Sequence, residues 1–330
     1  MRLINLIFVL LIVAVTISSC IERVKDDSEI RGDYLGQSLE SDSADLFAPK
    51  LVNTGLNERD MTIAPDGNEI LYSLVCGDQG VIIQILREDS IWGKPQIAPF
   101  SGQFSDFEPC ISPDGQKLYF ASQRPINGTN AKDFDIWVCD KIEQGWSKPV
   151  NLGAPINTIN NEFYPSITSD GTIYFTAGYE SHNNTDDIYR SKIVNGKFSE
   201  VELLPDPVNS LSYEYNAFIS PDESYLIYTA HDREGSQGRG DLYINFRNAD
   251  DTWSEAINLG GKVNSPANEL CPFVTRDGKY LFFTSAKTTV SLQAEPTLTI
   301  DRLKARLNGS GNGGQDIYWI KADFLDGLRK

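Results

Sequence analysis

The chain has 330 residues, with 29 Lys or Arg against 46 Asp or Glu, and its formal charge is −17. A chain this acidic repels nucleic acid and anionic lipid headgroups, and no basic patch interrupts it. The charge therefore argues against a nucleic-acid partner and favours a cation or a cationic partner.

The first 19 residues are typical of a secretion signal. Arg2 supplies the positive charge, and Leu6–Val15 is an uncharged apolar run too short to span a bilayer. The run leads into Ile17-Ser18-Ser19-Cys20, which resembles a bacterial lipobox with cleavage before Cys20. An ordinary signal peptide followed by an unrelated cysteine is the alternative. Removal of Arg2 with the signal would take the charge from −17 to −18.

A lipid-modified Cys20 would anchor the mature protein stably, since several acyl chains hold where one is marginal. By the lipobox resemblance, Ile21 after the cysteine implies the outer membrane, with the protein facing either the periplasm or the surface. Residues 20–46 are polar and acidic, which predicts a lipidated flexible tether. The folded domain is predicted over residues 47–330.

One phrase recurs five times along that domain. Each copy has an acidic residue, a short β-prone run, a turn built on Asp, and a second apolar run. The copies are Glu58–Tyr72, Asp106–Phe120, Glu162–Phe175, Glu214–Tyr228 and Glu269–Phe283. The turn residues are Asp66, Asp114, Asp170, Asp222 and Asp277, spaced 48, 56, 52 and 55 residues apart. A period near fifty suits a four-stranded propeller blade.

Two further runs complete each copy. The third run begins with Asp before an aliphatic and an aromatic residue, at Asp135, Asp187, Asp241 and Asp316. The first copy has Gly80-Val81-Ile82 instead. The predicted fourth run pairs an aromatic with a small residue, at Trp92-Gly93, Trp146-Ser147, Phe198-Ser199 and Trp253-Ser254. The copies therefore predict an all-β fold of four-stranded antiparallel blades.

The fifth copy ends after its third strand, and the segment Phe47-Ala48-Pro49-Lys50-Leu51 imitates a fourth strand. We therefore expect this N-terminal segment to complete the last blade and close the ring, which protects the strand edges. Five blades are predicted, with six as the alternative. In the fourth copy Glu223 replaces the Gly that follows the turn Asp elsewhere, and a different turn is expected there.

The repeat resembles the WD-like propeller repeat of the TolB family. Ile-Ser-Pro-Asp-Gly at 111–115 and Asp-Ile-Tyr at 187–189 and 316–318 match it best, over about residues 47–325. The chain also resembles propeller lipoproteins of the Bacteroidetes group, through Tyr34-Leu35-Gly36-Gln37 and Phe47-Ala48-Pro49. It departs from TolB in lacking room for an N-terminal α/β domain and in its five copies, since the TolB propeller has six blades.

The acidic residue that opens each copy lies where the chain drops from an outer strand to the next inner strand. Convergence at the channel mouth would bring together Glu58, Asp106, Glu162, Glu214 and Glu269. Such a ring could hold Ca²⁺, which takes six to eight oxygen ligands. The favoured interpretation is structural, with each carboxylate accepting backbone N–H bonds. The turn and third-strand aspartates are likewise expected to be structural, and no cofactor is predicted.

No catalytic motif is evident. The two histidines, His182 and His231, lie in variable loops, and no Gly-x-Ser-x-Gly elbow is present. Cys76, Cys110, Cys139 and Cys271 form no CxxC pair, so a zinc site is not expected. A disulfide between Cys76 and Cys139 is one possibility, with Cys110 and Cys271 packed as small apolar residues.

The loops between second and third strands differ widely, over residues 123–134, 178–186, 231–240 and 286–315. The last includes a possible short helix at Leu298–Leu307. Variable loops on a constant scaffold are typical of binding proteins. The leading hypothesis is a membrane-anchored, non-catalytic propeller that binds a protein or glycan through one face. The alternative is a glycan hydrolase or lyase with its site in the central funnel, which would need a paired acid and base.

Overall fold

A computed structural model describes residues 29–39, 41–127, 133–180, 185–291 and 298–329 of the chain. The predicted signal and Cys20 lie outside these residues. Five antiparallel sheets form the blades of a β-propeller, which confirms the predicted fold and blade number. The inner strands of successive blades contact one another around the whole ring, including the first with the last.

The strands are numbered along the chain. Two short strands precede the first repeat: β1 (Ile30–Arg31) and β2 (Asp45–Leu46). The first blade contains β3 (Asn57–Ile63), β4 (Glu69–Cys76), β5 (Gln79–Glu88), β6 (Ile91–Trp92) and β7 (Gln96–Ile97). The second contains β8 (Asp106–Ile111), β9 (Lys117–Ser122), β10 (Asp135–Ile142), β11 (Gly145–Trp146) and β12 (Val150–Asn151).

The third blade contains β13 (Glu162–Ile167), β14 (Ile173–Gly178), β15 (Asp186–Ser191), β16 (Ile193–Val194), β17 (Lys197–Phe198) and β18 (Glu202–Leu203). The fourth contains β19 (Glu214–Ile219), β20 (Tyr225–Ala230), β21 (Asp241–Phe246) and β22 (Ile257–Asn258). The fifth contains β23 (Glu269–Val274), β24 (Tyr280–Ser285) and β25 (Asp316–Lys321).

The core lies between the blades because the second strand of every blade carries a large aromatic residue that is almost entirely removed from water. These residues are Tyr72, Phe120, Phe175, Tyr228 and Phe283, each at most 2% exposed. Burying one such ring stabilises the fold by roughly 1.5–3 kcal/mol relative to its exposure. The repeated apolar run thus packs each blade on its neighbours.

The N-terminal segment closes the ring as predicted. β2 pairs antiparallel with β25, with Leu46 opposite Tyr318, so the outermost strand of the last blade comes from the start of the domain. The pairing strand lies just before the predicted segment. Phe47 follows it, fully buried, with its ring 5.0 Å from that of Phe282 and 5.3 Å from that of Trp319.

Part of the segment predicted as a tether, residues 30–39, packs on the propeller. Strand β1 pairs with β6 of the first blade, and a 3₁₀ turn follows at Tyr34–Gly36. The Tyr34 ring lies 4.8 Å from the ring of Tyr280 in the last blade, and Leu35 and Leu39 are buried. The overall composition of the segment is polar, so these few apolar residues, which hold residues 30–39 against the propeller, are not evident from it.

The fourth strands lie further along the chain than predicted. The aromatic runs at Trp92, Trp146 and Phe198 instead form short hairpins near the end of the third strand, and Trp253 makes a bridge to Arg247 there. The strands that complete the ladders follow a few residues later: β7, β12, β18 and β22. A period-two pattern cannot locate strands of only two residues.

The turn at Glu223 does not differ from the other four. Glu223 has φ of 58°, in the left-handed region that Gly67, Gly115, Gly171 and Gly278 occupy in the equivalent turns. Its carboxylate accepts hydrogen bonds at 2.8 Å from Tyr174 and from Arg247. These two bonds compensate for a backbone conformation that a residue with a Cβ rarely adopts.

Two smaller expectations are resolved. The helix predicted in the longest loop is present as α1 (Ile300–Leu307), with the Thr299 hydroxyl accepting a bond from the Arg302 amide. The proposed disulfide is absent, because Cys76 is a free, exposed thiol and Cys139 is a free, buried one.

Candidate functional site

The carboxylates that open the repeats are buried clasps between blades. Four of them each accept one hydrogen bond from the hydroxyl and one from the amide of a Ser or Thr four residues earlier, and three of these four accept a further bond. The pairs are Thr54 with Glu58, Thr158 with Glu162, Ser210 with Glu214 and Ser265 with Glu269. Asp106 accepts from Ser101, Ser122 and Arg124 instead. All five are 0% exposed. The bonds fix the connection into each inner strand.

These carboxylates do not form a metal-binding ring at the channel mouth. Within the described residues, no group of three or more His, Cys, Asp or Glu side chains is placed to hold a metal ion. Each carboxylate is instead committed to its own blade connection, so its recurrence reflects the scaffold.

A second repeated clasp was missed in the sequence. The residue before the Ser or Thr is a buried Asn in four connections, and its side-chain amide bonds the backbone of the third strand in the preceding blade. The four contacts join Asn53 to Ile317, Asn157 to Ile136, Asn209 to Ile188 and Asn264 to Leu242, at 2.7–3.0 Å. The signal is the recurring Asn-Ser/Thr-x-x-x-Glu motif.

The other repeated aspartates also serve the backbone. Each turn Asp accepts the amide two residues later at 3.0–3.1 Å, at Asp66, Asp114, Asp170, Asp222 and Asp277. The hydroxyl of Ser112 beside Asp114, for example, holds the pKa of that carboxyl below its usual range. At the start of the third strands, Asp135 binds Asn151, Asp187 binds Thr185, Asp241 binds Asn258 and Asp316 binds the Gly311 amide. These contacts fit the expectation that the turn aspartates and the third-strand aspartates have structural roles.

A different set of residues fills the central channel. In every inner strand the ladder is interrupted by a bulge, and the residue two after the opening acid has φ between 49° and 60°. The five residues are Asp60, Glu108, Tyr164, Asn216 and Cys271, each at most 8% exposed. We call them the channel plug. Unlike the clasp residues, they differ from blade to blade.

Hydrogen bonds link plug residues from different blades. The Arg59 guanidinium bonds Asp60 at 2.6 Å and Glu108 at 3.2 Å. The Cys271 thiol donates to Asp60 at 2.5 Å, and the Asn216 amide donates to Glu108 at 3.2 Å. Burial raises the pKa of Glu108 to about 7, with the Asp60 charge acting in the same direction and Arg59 opposing it. The plug is therefore a hydrogen-bonded polar core that cross-braces the ring, in which Oδ2 of Asp60 has no partner among the described residues.

Glu108 compensates for one missing hydroxyl. The bulge amide is bonded by a Ser or Thr of the preceding blade in three cases: Glu108 by Ser73, Asn216 by Thr176 and Asp60 by Thr284. The second blade has Ala121 at that position, and the Tyr164 amide instead donates to the Glu108 carboxylate at 2.7 Å. The acidic side chain thus replaces a hydroxyl contact, which gives it a structural role.

The repeats open on one face, which we call the loop face. Asp106, Ser122 and Asp135 are register partners, so the start of the first strand, the end of the second and the start of the third lie at the same end of a blade. The inter-blade connections and the variable loops therefore share this face. The turn aspartates lie at the opposite end.

Half-buried aromatic side chains lie beside the channel on the loop face of the second, third and fourth blades. Phe107, Phe134 and Phe163 form a continuous row, with ring centroids 5.3 and 5.0 Å apart. Further round, the Tyr215 hydroxyl lies 3.1 Å from Nε2 of His231. His231 therefore lies beside the aromatic residues around the channel opening, which we call the funnel. His182 lies outside the described residues. These residues have no counterpart that recurs in all five blades.

The loop face is incomplete over the first blade. β4 and β5 are joined through Gly77 and Asp78 alone, whereas every other blade has a long loop at this position. A cleft of about 510 Å³ occupies the gap and extends towards the second blade. Gly80 forms part of its wall, and a Cβ at this residue would lie 2.2 Å from the Phe107 ring. The cleft and the aromatic row therefore adjoin.

Comparison with known proteins gives the fold. No protein-family model and no curated protein matches the chain. TolB from Acinetobacter baumannii aligns with 80% of this chain and 54% of its own, at 14% identity and a TM-score of 0.45. Putative TolB from Agrobacterium tumefaciens aligns over 81% and 90%, at 14% identity and 0.47. A structure of BT0996 in an RGII complex aligns over 85% and 92%, at 8% identity and 0.53.

The chain therefore spans about half of the A. baumannii protein, and the structures that it resembles include TolB-type β-propellers. At these identities the similarity concerns the fold alone, and function must be argued from the site.

The plug predicts a pH dependence of stability. Because the pKa of Glu108 is raised from 4.5 to about 7, the folded protein holds a proton that the unfolded chain releases between these values. The free energy of unfolding should therefore fall as pH rises through this range. Glu162, whose pKa burial also raises to about 7, should add to the slope.

Urea unfolding across this pH range measures the effect. Glu108→Gln should reduce the dependence of the free energy of unfolding on pH, and the part that comes from Glu162 should remain. The control is Glu88→Gln, a change at an exposed residue, which should leave the pH dependence as it is in the wild type. An identical slope in Glu108→Gln and the wild type would show that Glu108 does not titrate as described.

Proposed function

We propose that the protein is a non-catalytic propeller that binds a protein or glycan partner through its loop face. One observation carries the proposal. The residues that recur in the blades are buried in backbone contacts, whereas the residues that differ between blades are concentrated around the funnel and the loops. A constant scaffold that presents variable residues on one face is the usual arrangement of a binding site.

Exposed aliphatic side chains on the inter-blade connections support this proposal. Ile159 is 90% exposed and Leu211 is 94% exposed, each directly after the Ser or Thr of the clasp. A polar residue would serve equally well at these turn tips, so neither side chain is needed there for folding. Within the proposal, these two side chains would be apolar anchors that a bound partner covers.

The hydrolase alternative has one observation in its favour. Asp60 and Glu108 form an acidic pair on the propeller axis, and the pKa of Glu108 is raised towards that of a general acid. Their exposed fractions are only 2% and 6%, however, and both carboxylates accept bonds from the protein itself. A substrate bond could not reach them without opening the plug. The binding role is therefore the better supported.

We also propose that Cys20 carries the lipid that anchors the protein to the outer membrane. The lipobox-like sequence before Cys20 supports an anchor of this kind, and the packed segment from residue 30 would leave a short tether. Among the described residues, no helix is long and apolar enough to cross a bilayer.

The anchor can be tested by labelling. In a Gram-negative host the chain should incorporate radiolabelled palmitate and sediment with membranes, and Cys20→Ser should do neither. Equal labelling and sedimentation of the Cys20→Ser variant would contradict the proposed anchor.

Binding through the loop face can be tested with apolar-to-acidic variants. The purified protein is immobilised and titrated with solubilised envelope material, and saturable binding is expected. Ile159→Asp combined with Leu211→Asp should weaken it at least tenfold, because the change places two charges in the desolvated part of the interface.

The control carries the same chemical change on the opposite end of the blades. Ile142 and Val194 are 49% and 55% exposed, and changing both to Asp should leave binding unaltered. Equal loss in both double variants, or no saturable binding by the wild type, would contradict a loop-face site. Polysaccharide turnover that Glu108→Gln abolishes would contradict the non-catalytic part.

A further inference from the structure

The cleft over the first blade carries hydrogen-bonding groups that the protein does not use. Gln79, Gln103 and Gln123 line it from three different segments. Within the described residues, none of their side-chain amides has a hydrogen-bond partner, although each amide offers two donors and an acceptor. Three unused amides that meet in one cleft are available to a ligand.

The floor of the cleft is held in place. The Ser105 hydroxyl accepts a bond from the Gly80 amide at 3.1 Å and donates to the Asp78 carbonyl at 3.2 Å. It therefore ties the short hairpin of the first blade to the connection that enters the second. The backbone amide of Gln123 donates to the Ser105 carbonyl at 3.1 Å, which fixes the third segment as well. The three glutamines thus project from a braced framework.

An aromatic ring also lines the cleft, together with the apolar side chains of Leu74 and Val81. Phe104 is half-buried in the cleft wall, and the Arg124 guanidinium lies 5.8 Å from its centroid. Arg124 is itself fixed by its ion pair with buried Asp106 at 2.7 Å. The ring therefore keeps a defined position and offers a flat apolar surface beside the amides.

The charge of the lining disfavours anionic ligands. Asp78 is the charged residue among the lining groups, and no Lys or Arg lines this cleft in the described part of the chain. The whole chain carries −17, which adds to the repulsion of anions. An uncharged ligand rich in groups that both donate and accept hydrogen bonds fits the three amides and the Asp78 carboxylate best.

An extended peptide fits less well. Peptides that bind sheets usually add a strand to a free edge. Strand β5 borders the cleft and pairs with β4 on one side. On its other side β7 pairs with Ile83 and Gln84, beyond the cleft, and at the cleft the Gly80 and Ile82 amides donate to the hydroxyls of Ser105 and Ser101. The backbone amides that an added strand would need at the cleft are therefore already bonded, and recognition must rely on side chains.

We propose that the cleft between the first and second blades binds a neutral glycan chain. Sugar hydroxyls satisfy the amides of Gln79, Gln103 and Gln123 and the carboxylate of Asp78, and a pyranose or furanose face packs on Phe104. The inference rests on the proposed loop-face binding function and names its ligand class.

The probes are neutral hexasaccharides of glucose, mannose, galactose, xylose and arabinose, with polygalacturonate as the anionic counterpart. Isothermal titration of the full chain should show saturable binding of at least one neutral hexasaccharide and none of polygalacturonate. Gln79→Ala and Gln103→Ala should each weaken that binding about tenfold or more, because a bound hydroxyl loses its partner. Both residues are exposed, so both variants should keep the wild-type melting temperature.

The matched control is Gln144→Ala, an exposed glutamine in the hairpin at the other end of the second blade, which should leave affinity unchanged. Absence of binding across the neutral panel, preference for polygalacturonate, or equal affinity of Gln103→Ala and wild type would overturn the inference. If envelope material still binds and Ile159→Asp with Leu211→Asp abolishes that binding, the loop-face function stands and only the glycan assignment fails.

Discussion

Closure of the ring by the two ends of the domain is the constraint on which the rest of the structure depends. The side-chain amide of Asn53 donates to the carbonyls of Phe47 and Ile317 and accepts from the Ile317 amide, across 264 residues of sequence. Asn157, Asn209 and Asn264 make the same contact between blades that are adjacent in the sequence. Ring closure therefore uses the same Asn contact that joins the other blades. Closing a sheet-based ring in this way leaves no long unpaired strand edge.

Closure also explains how the residues divide between structure and recognition. Once the Asn and Glu clasps have fixed the blade connections, the positions around the axis and at the loop tips are free to differ. In the channel plug, the residues that differ between blades bond to one another across the ring, as Arg59 does with Asp60 and Glu108. The first blade uses it differently, because its short hairpin leaves a cleft where other blades have loops. The proposed site thus arises from the least typical copy of the repeat.

The fold could be predicted from the sequence because its determinants recur. Five turns, five apolar second strands and a segment around Phe47 that resembles a fourth strand were sufficient for the architecture and its closure. The roles of the repeated carboxylates were harder to assign. Glu214, for example, bonds Ser210 because the chain turns between the two residues, and the sequence does not show that turn. The Asn clasp recurs four times and could have been found from its spacing alone.

The candidate site could be predicted only in part. The variable loops indicated the correct face, but the channel plug depends on backbone bulges that bring Glu108 of one blade to Arg59 of another, and no local pattern encodes such contacts. The cleft follows from a missing loop, which the sequence expresses as Gly80 where other copies have Asp. The cleft is a candidate binding site because three glutamines line it. These glutamines are far apart in the sequence, so the sequence alone does not show that they share one cleft.

Hydrogen exchange at the closure sheet tests ring closure most directly. If β2 is an integral outer strand, the amide of Phe47, which bonds the Ile317 carbonyl at 3.0 Å, should exchange only through global unfolding, together with the amides of β24. Mass spectrometry of peptides covering residues 45–48 and 280–285 compares the two rates. Exchange of the first peptide within seconds, while the second stays protected, would show that the ring is not closed by the N-terminal strand.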